Sequence, residues 1–237
     1  LHPLRRFAAI PAHPQKQYTR RWRLYHFCGF YYPIREVIPI AIYHWNIGIV
    51  SRGKGKSAVA AAAYRSGEKL TNEWDGLTHD YTRKGGVVHS EIMLPPHAPE
   101  IYLDRATLWN AVENCEKHPK AQLAYSFDIA MQNELTLEEN MELARKFVQE
   151  QFVTKGMIAD LAFHSPEKED GGIPNPHFHV MTTMRPLNPD GTWGQKQRRE
   201  YLLDEDGNRI RDKNGDYMFN AVHTTDWHEP ETLEHWR

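Results

Sequence analysis

The sequence has few cysteines and lacks long apolar runs, and both features narrow the class of protein to which the chain can belong. The only two cysteines among the 237 residues, Cys28 and Cys115, lie far apart and form no C-x-x-C pair. Neither a disulfide framework nor a cysteine zinc site is therefore indicated. No apolar run approaches the ~18–20 residues of a membrane-spanning helix. We expect one sizeable globular domain with appendages, located in the cytoplasm.

The sequence also has little net charge, −2 in total, but the charge is unevenly spread. Residues 1–40 carry seven basic side chains and one acidic one, and residues 41–84 carry seven basic against four acidic. Because local basic patches matter more for phosphate binding than the total charge does, a nucleic-acid partner is not excluded.

Residues 1–40 differ from the rest of the chain. They combine clustered arginines with many aromatic residues and show no sustained helical or strand period. We consider three interpretations: a basic nucleic-acid arm, a transit-like segment, and translated DNA upstream of the true start, since the chain begins with Leu. We expect an atypical extension that is disordered or non-native, and a functional domain over residues 41–237.

From residue 41 onward, the hydrophobic pattern predicts alternating strands and helices. Strands are predicted at 41–50, 85–94, 121–131, 157–164 and 177–186, and helices at 58–70, 104–118 and 136–156. The order β-α-β-α-β-α-β-β suggests an α+β architecture, with an antiparallel or mixed sheet and helices on one face.

Local signals mark several ends of these elements. Ser57 is a candidate N-cap of the first helix, which is expected to close near Gly67 or beyond. Thr136 and Glu139 form a predicted capping box, and Gly156 is the expected stop of the third helix. Beyond residue 187, "DEDGNRI" and "DKNGDY" predict two tight turns in a β-hairpin, followed by a short C-terminal helix.

A His-x-His pair interrupts the last predicted strand. Strand alternation puts His177 and His179 on the same face. His164 ends the preceding strand, and an antiparallel return would bring all three imidazoles together. Three imidazoles leave coordination positions open, as a catalytic metal requires. The alternative is polar surface histidines that pair by chance among the 14 in the chain.

These three ligands do not identify which metal ion binds. Three histidines suit zinc, manganese, nickel or cobalt. A phosphodiester substrate would favour Mg²⁺ or Mn²⁺.

The alanine-rich first helix carries a candidate nucleophile, Tyr64. Its neighbours on the same helix face are mostly small: Ala60, Ala61, Gly67 and Glu68. Such neighbours leave the phenol reachable. The alternative is an aromatic residue at the edge of the core.

In combination, these features resemble the MobA/MobL family of plasmid mobilisation relaxases, part of the HUH (His-hydrophobic-His) class of endonucleases. The resemblance covers roughly residues 41–237. The segments that carry it are "AIYHW", "SRGKGKSAVAAAAYRSGEKL", "DYTRKGGVVHSEIMLP", "NELTLEE", "KGMIADLAFH" and "NPHFHVMTTMRP". It implies a largely antiparallel five-stranded sheet with helices packed on its faces. It also implies a nicking domain truncated at its C-terminal end.

The resemblance assigns roles to individual residues. Tyr64 matches the nucleophile, and the metal-binding triad matches His164, His177 and His179. Asp128 lies where the family tends to carry a Glu, which would accept the tyrosine proton or hold a metal-bound histidine. The sequence departs from the family pattern nearby, because Ser126 replaces an acid. An exposed strand carboxylate is the alternative for Asp128.

The implied activity is nicking of one DNA strand at a plasmid transfer origin, by metal-assisted transesterification. A 5′-phosphotyrosyl intermediate would form, and the strand would be rejoined after transfer. The expected partners are single-stranded DNA, accessory mobilisation proteins and the coupling protein of a type IV secretion system, in a bacterial cytoplasm. Candidate phosphate contacts are Arg52, Lys54, Lys56, Arg65, Arg83 and Lys84.

Three other functions stay open. A rolling-circle replication initiator shares the chemistry, although such proteins often place the tyrosine after the His-x-His strand. A metal-dependent hydrolase would use water, with Tyr64 only structural. A DNA-binding module without activity would keep the fold alone.

Overall fold

The computed structural model describes residues 23–27, 30–34, 44–165 and 175–236. The two short stretches nearest the N-terminus are strands, β1 (Arg23–Phe27) and β2 (Phe30–Ile34), which pair antiparallel. The sequence shows no sustained strand period there. Both strands are short and rich in aromatic residues, which favour strands without producing a visible period. The rest of residues 1–40 lies outside the described residues.

The remaining elements follow in chain order: β3 (Trp45–Ser51), α1 (Ala58–Ser66), β4 (Lys69–Thr71), β5 (Thr78–Asp80), β6 (Val87–Met93), α2 (Arg105–Cys115), β7 (Gln122–Ala130), α3 (Leu137–Gln151), β8 (Ala159–His164), β9 (His177–Thr183), β10 (Gln197–Tyr201), β11 (Phe219–His223) and α4 (Pro230–Trp236). Five strands form the central sheet in the order β3-β7-β9-β8-β6. Every neighbouring pair in it is antiparallel. The predicted α+β class with a five-stranded antiparallel sheet is confirmed.

Helices cover both faces of this sheet, as the family resemblance implied. The expectation of one covered face, which came from the order of the elements alone, is wrong. Side chains on β7 alternate between two apolar clusters. Phe127 and Ile129 join the cluster of α3 and α4, whereas Ala124 joins that of α1 and α2. A central strand with apolar residues on both sides requires cover on both sides.

The first helix begins and ends at residues suited to its ends. The Ser57 hydroxyl accepts a hydrogen bond from the Ala60 N–H (3.1 Å), and Gly67 closes the helix at a φ of 71°. Only glycine adopts that left-handed conformation without strain. The chain then turns into the β4–β5 hairpin, which the sequence did not predict because both strands have three residues.

A buried ionic network fixes the end of α1 against β8. The Arg105 guanidinium of α2 donates to both Asp160 oxygens of β8, at distances of 2.9–3.1 Å. It also pairs with Glu68, just beyond α1. Trp109 donates its indole N–H to Asp160 as well (2.8 Å). Buried charges need such partners, and the network holds α1 beside the strand that ends in His164.

The third helix begins at the predicted capping box. The Thr136 hydroxyl accepts from the Glu139 N–H, and the Glu139 carboxylate accepts from the Thr136 N–H. A short 3₁₀ turn follows the helix and ends at Gly156 (φ 84°).

The predicted C-terminal hairpin is present as β10 and β11, which pair antiparallel. Two tight turns lie between these strands, at Gly207 and Gly215. The predicted final helix is present as α4, which begins at Pro230, and Trp236 packs into the α3 side of the core. Among the described helices, none is both long and apolar enough to cross a bilayer.

Candidate active site

Strand pairing brings three histidines together on the α1 side of the sheet. His164 on β8 pairs with His177 on β9, and His179 pairs with Ala162. The imidazole centroids lie 4.6–5.3 Å apart. One ring nitrogen from each histidine lies within 4.8 Å of the other two. The segment that joins the two strands, residues 166–174, lies outside the described residues.

Each imidazole has one nitrogen held by an oxygen acceptor. His164 Nε2 lies 2.8 Å from the Arg65 carbonyl oxygen. His177 Nδ1 lies 2.9 Å from the Asn175 carbonyl oxygen. His179 Nδ1 lies 2.5 Å from Asp128 Oδ1. Because these oxygens only accept, each held nitrogen carries the proton. In the neutral form of each ring, the other nitrogen keeps its lone pair.

Burial keeps two of these imidazoles neutral at physiological pH. Desolvation lowers the pKa of His164 to about 4, and the charges of His179, Lys84 and His177 act in the same direction. Desolvation also lowers the pKa of His179, although Asp128 opposes the shift. A neutral imidazole is the form that binds a metal ion.

These donors fit a divalent metal ion. One ring nitrogen from each imidazole converges with the other two, and each ring is also held by an oxygen acceptor, as metal-binding histidines usually are. His164, His177 and His179 could therefore hold an ion, and three ligands leave positions open for a substrate.

Asp128 supports the site from the neighbouring strand. It pairs with His179 across β7 and β9, and its second oxygen accepts from the Asn46 side chain on β3 (3.4 Å). Burial opposes ionisation of Asp128, but the hydrogen bond and charge of His179 bring its pKa below the usual range. Asp128 is therefore an ionised acceptor that orients the His179 ring.

Tyr64 lies near the end of α1, and its side chain is 49% exposed. The next residue, Arg65, provides the carbonyl oxygen that holds His164, so the tyrosine helix contacts the metal-site cluster directly. The edge of the Tyr81 ring packs against the Tyr64 ring, with centroids 5.2 Å apart. The Lys84 ammonium lies 3.8 Å from the Tyr64 ring centroid.

The Arg65 side chain also contacts the sheet beneath the site. Its guanidinium donates to Ser126 Oγ (2.6 Å) and to the Ala61 carbonyl (3.1 Å). Burial lowers the Arg65 pKa, and the charges of Asp128 and Asp160 oppose that shift. Ser126, the departure from the family pattern, is here a neutral acceptor for this arginine.

The six predicted phosphate contacts fall into two groups. Arg52 and Arg65 make internal contacts: Arg52 pairs with Glu113 (2.6 Å), and its guanidinium stacks on Trp74. Lys54, Lys56 and Arg83 have exposed side chains, and Lys84 is half-buried against Tyr64. Charge alone did not distinguish the two groups, because the acidic partner of Arg52 is 61 residues away.

The sequence did not point to Asn46 or Tyr81. Asn46 lies opposite Asp128 in the β3–β7 register, which only the strand order reveals. His89, on β6, lies on the other face of the sheet. There it contacts Glu91 and Arg145 of α3.

Comparisons with known proteins identify the family of this chain. A sequence model of the MobA/MobL family matches residues 56–237. A conjugal transfer protein TraA of Rhizobium radiobacter is 42% identical over 190 residues, which cover 76% of this chain and 16% of that protein. A mobilization protein MobL of Acidithiobacillus ferridurans is 38% identical over 177 residues, covering 66% of this chain and 46% of that protein.

One solved structure shares the fold. It is described as the molecular basis of vancomycin resistance transfer in Staphylococcus aureus. Its TM-score is 0.64 at 31% identity, covering 83% of this chain and 87% of the other. The present chain thus matches a solved structure over most of its length, but spans only about a sixth of the TraA relative.

Proposed function

The chain belongs to the MobA/MobL family of mobilisation relaxases, and from this premise we propose that it acts in conjugative DNA transfer by nicking one strand at a plasmid transfer origin. The observation that carries the proposal is the contact between the Tyr64 helix and the three-histidine cluster, made through the Arg65 carbonyl. That contact supports the proposal, because a reachable phenol then lies on the same face of the sheet as three histidines that could hold a metal ion.

In the proposed reaction, the Tyr64 phenol oxygen attacks the scissile phosphorus. A new Tyr–O–P bond forms, the P–O3′ bond breaks, and the electron pair goes to the 3′ oxygen, which ends as a hydroxyl. The phenol proton passes to solvent base. Because the product is still a phosphodiester, the reverse reaction rejoins the strand without an energy source.

The three histidines, His164, His177 and His179, would hold the metal ion through one ring nitrogen each. When bound, a divalent ion supplies Lewis acidity to a phosphoryl oxygen, an effect worth several kcal/mol. Mg²⁺ and Mn²⁺ suit a phosphodiester substrate best.

Asp128 is assigned to orienting His179. Both of its oxygens already accept hydrogen bonds, from His179 and from Asn46. An acceptor engaged in this way is a poor candidate for removing the proton of Tyr64. Asp128→Ala should therefore weaken metal binding as well as nicking.

The proposed substrate is single-stranded DNA. Lys54, Lys56 and Arg83 present exposed cations, which would contact phosphates without reading the sequence. Accessory mobilisation proteins and a secretion coupling protein are the partners that conjugative transfer would require.

The test is a gel of covalent adducts. The purified chain is incubated with Mn²⁺ and single-stranded oligonucleotides that tile the transfer origin of its plasmid, then boiled in detergent. We expect a protein band shifted by attached DNA, absent with Tyr64→Phe and absent when EDTA removes the metal.

Cleaved DNA without an adduct, undiminished in Tyr64→Phe, would contradict the proposal and indicate a hydrolase that uses water. The matched control is Tyr217→Phe, because Tyr217 is similarly exposed (41%) but lies in the C-terminal hairpin. This variant should form the adduct as wild type does.

A further inference from the structure

Lys84 makes two contacts with Tyr64 that its sequence position does not predict. Its ammonium lies 3.8 Å from the centroid of the phenol ring. The same ammonium donates a hydrogen bond to the Tyr64 carbonyl oxygen (2.8 Å). One cation thus contacts both the side chain and the main chain of the candidate nucleophile.

The segment that carries Lys84 is attached at both ends. At its start, the Tyr81 N–H donates to the Glu68 carbonyl, just past α1 (3.1 Å). At its end, the Gly86 carbonyl accepts from the Ser165 N–H, next to His164 (3.0 Å). Within it, the Lys84 N–H donates to the Tyr81 carbonyl (2.9 Å). The lysine therefore projects from a short turn that bridges the tyrosine helix and the histidine strand.

The surroundings of the ammonium favour a negative charge nearby. Burial and the charge of Arg65 both lower the pKa of Lys84, and no carboxylate of the described residues is among the groups that shift it. Lys84 is also near enough to His164 for its charge to act on that imidazole. An ionised phenol would supply the missing counter-charge.

We propose that Lys84 is the positioning residue of the Tyr64 nucleophile: it clamps the ring and places a positive charge beside the phenol as it ionises. The inference rests on the proposed nicking function and deepens it. It also distinguishes Lys84 from the exposed Lys54 and Lys56, whose side chains contact no tyrosine among the described residues. A cation over an aromatic face stabilises this arrangement, more so when partly desolvated.

The variants that test this are Lys84→Met, which keeps the length and removes the charge, and Lys84→Arg, which keeps the charge. Lys155→Met is the matched control, since it removes an exposed lysine on the α3 side of the sheet. Thermal melting first verifies that each variant is folded. The rate of adduct formation is then measured in a single turnover, with saturating DNA and Mn²⁺, from neutral pH upward.

We expect Lys84→Met to slow adduct formation at neutral pH by about three- to thirtyfold. The deficit should shrink as the pH approaches the pKa of a free phenol, about 10, where the base in solution ionises the tyrosine without help. Lys84→Arg should retain most of the rate, and Lys155→Met all of it. An unchanged rate, a deficit equal at every pH, or a deficit that disappears with more DNA would overturn the proposal.

A second measurement needs neither DNA nor metal. Tetranitromethane nitrates tyrosine in its ionised form, and peptide mass spectrometry gives the rate at each site. Nitration of Tyr64 relative to Tyr217 should be slower in Lys84→Met than in wild type or Lys84→Arg. Equal relative rates would overturn the role of Lys84. If the wild type forms no adduct, the nicking proposal fails. The nitration rate of Tyr64 relative to Tyr217 still decides, independently, whether Lys84 activates the phenol.

Discussion

The two faces of the central sheet differ in what their side chains do. The α3 side is an aromatic core, in which Phe127, Phe147 and Phe152 pack edge-on or stacked against each other and against two tryptophans. The α1 side carries alanines, larger aliphatic residues and one buried tryptophan, Trp109, and then, at one end, the three histidines with Asp128. The strands of the central sheet contribute side chains to both faces.

Strand β9 shows this division most clearly. Phe178 and Val180 are fully buried in the aromatic core, whereas His177 and His179 face α1 and are only partly buried. Because alternate side chains of a strand point to opposite faces, one short segment both anchors the fold and provides the site. Stability and function should therefore respond separately to substitutions one residue apart.

The largest expected effect is a loss of stability in Phe178→Ala. Removal of a fully buried aromatic side chain should lower the free energy of unfolding by about 3–5 kcal/mol. His179→Ala, measured alongside without metal, should cost only about 1 kcal/mol, for one lost hydrogen bond. Urea unfolding measures both. Equal losses in the two variants would contradict the separation of the faces.

A similar separation is expected among the basic residues of the α1 side. The Arg52 and Glu113 side chains are 12% and 1% exposed, so Arg52→Met leaves the buried Glu113 carboxylate without its charged partner and with only the Ala58 N–H. The cost should be about 3 kcal/mol of unfolding free energy. Lys54→Met should leave stability unchanged and reduce the salt dependence of single-strand affinity by roughly one counterion. Reversed results would mean that Arg52 contacts DNA and Lys54 holds the fold.

Within the site, Asp128→Ala should weaken Mn²⁺ binding about 10–100-fold, because His179 loses the acceptor that fixes its orientation. Asp128→Asn, which keeps an acceptor oxygen, should lie between this variant and wild type. Titration calorimetry measures the affinity. Unchanged binding in Asp128→Ala would mean that Asp128 does not support the metal site.

The smallest expected effect is on the pH dependence of stability in the metal-free protein. The pKa of His164 is about 4 in the folded state, below its usual value of 6.5, so the unfolded chain binds more protons between these two values. The free energy of unfolding should fall as the pH drops through this window, by on the order of 1 kcal/mol after solvent screening. Above pH 6.5, the contribution of neutral His164 to the free energy of unfolding is fully present. An identical slope in His164→Gln would show that another group is responsible.

Much of this arrangement follows from local signals in the sequence. The alanine run between Ser57 and Gly67 predicts α1, and the His-x-His alternation predicts a shared face. The α+β class followed from the order of elements. The order of elements did not predict that helices cover both faces of the sheet, because the pattern along one strand does not tell which helix packs on which side.

The contacts around Tyr64 could not be predicted, because they depend on the path of the chain. Tyr81 and Lys84 reach the tyrosine only after a short hairpin that has no recognisable period. Likewise, a charge pattern identifies Arg52 as basic but does not reveal its distant partner Glu113. Side chains that act through tertiary contacts thus need the strand order before their role is visible.

The most direct test of the account is to locate the DNA within the covalent adduct. Protease digestion of the adduct, followed by mass spectrometry, identifies the peptide that carries the nucleotide remnant. Tyr81 is the natural competitor, since its ring lies next to that of Tyr64. We predict the remnant on Tyr64, with none on Tyr81. A remnant on Tyr81 or elsewhere, or cleaved DNA with no modified peptide, would contradict the assignment of Tyr64 as the nucleophile.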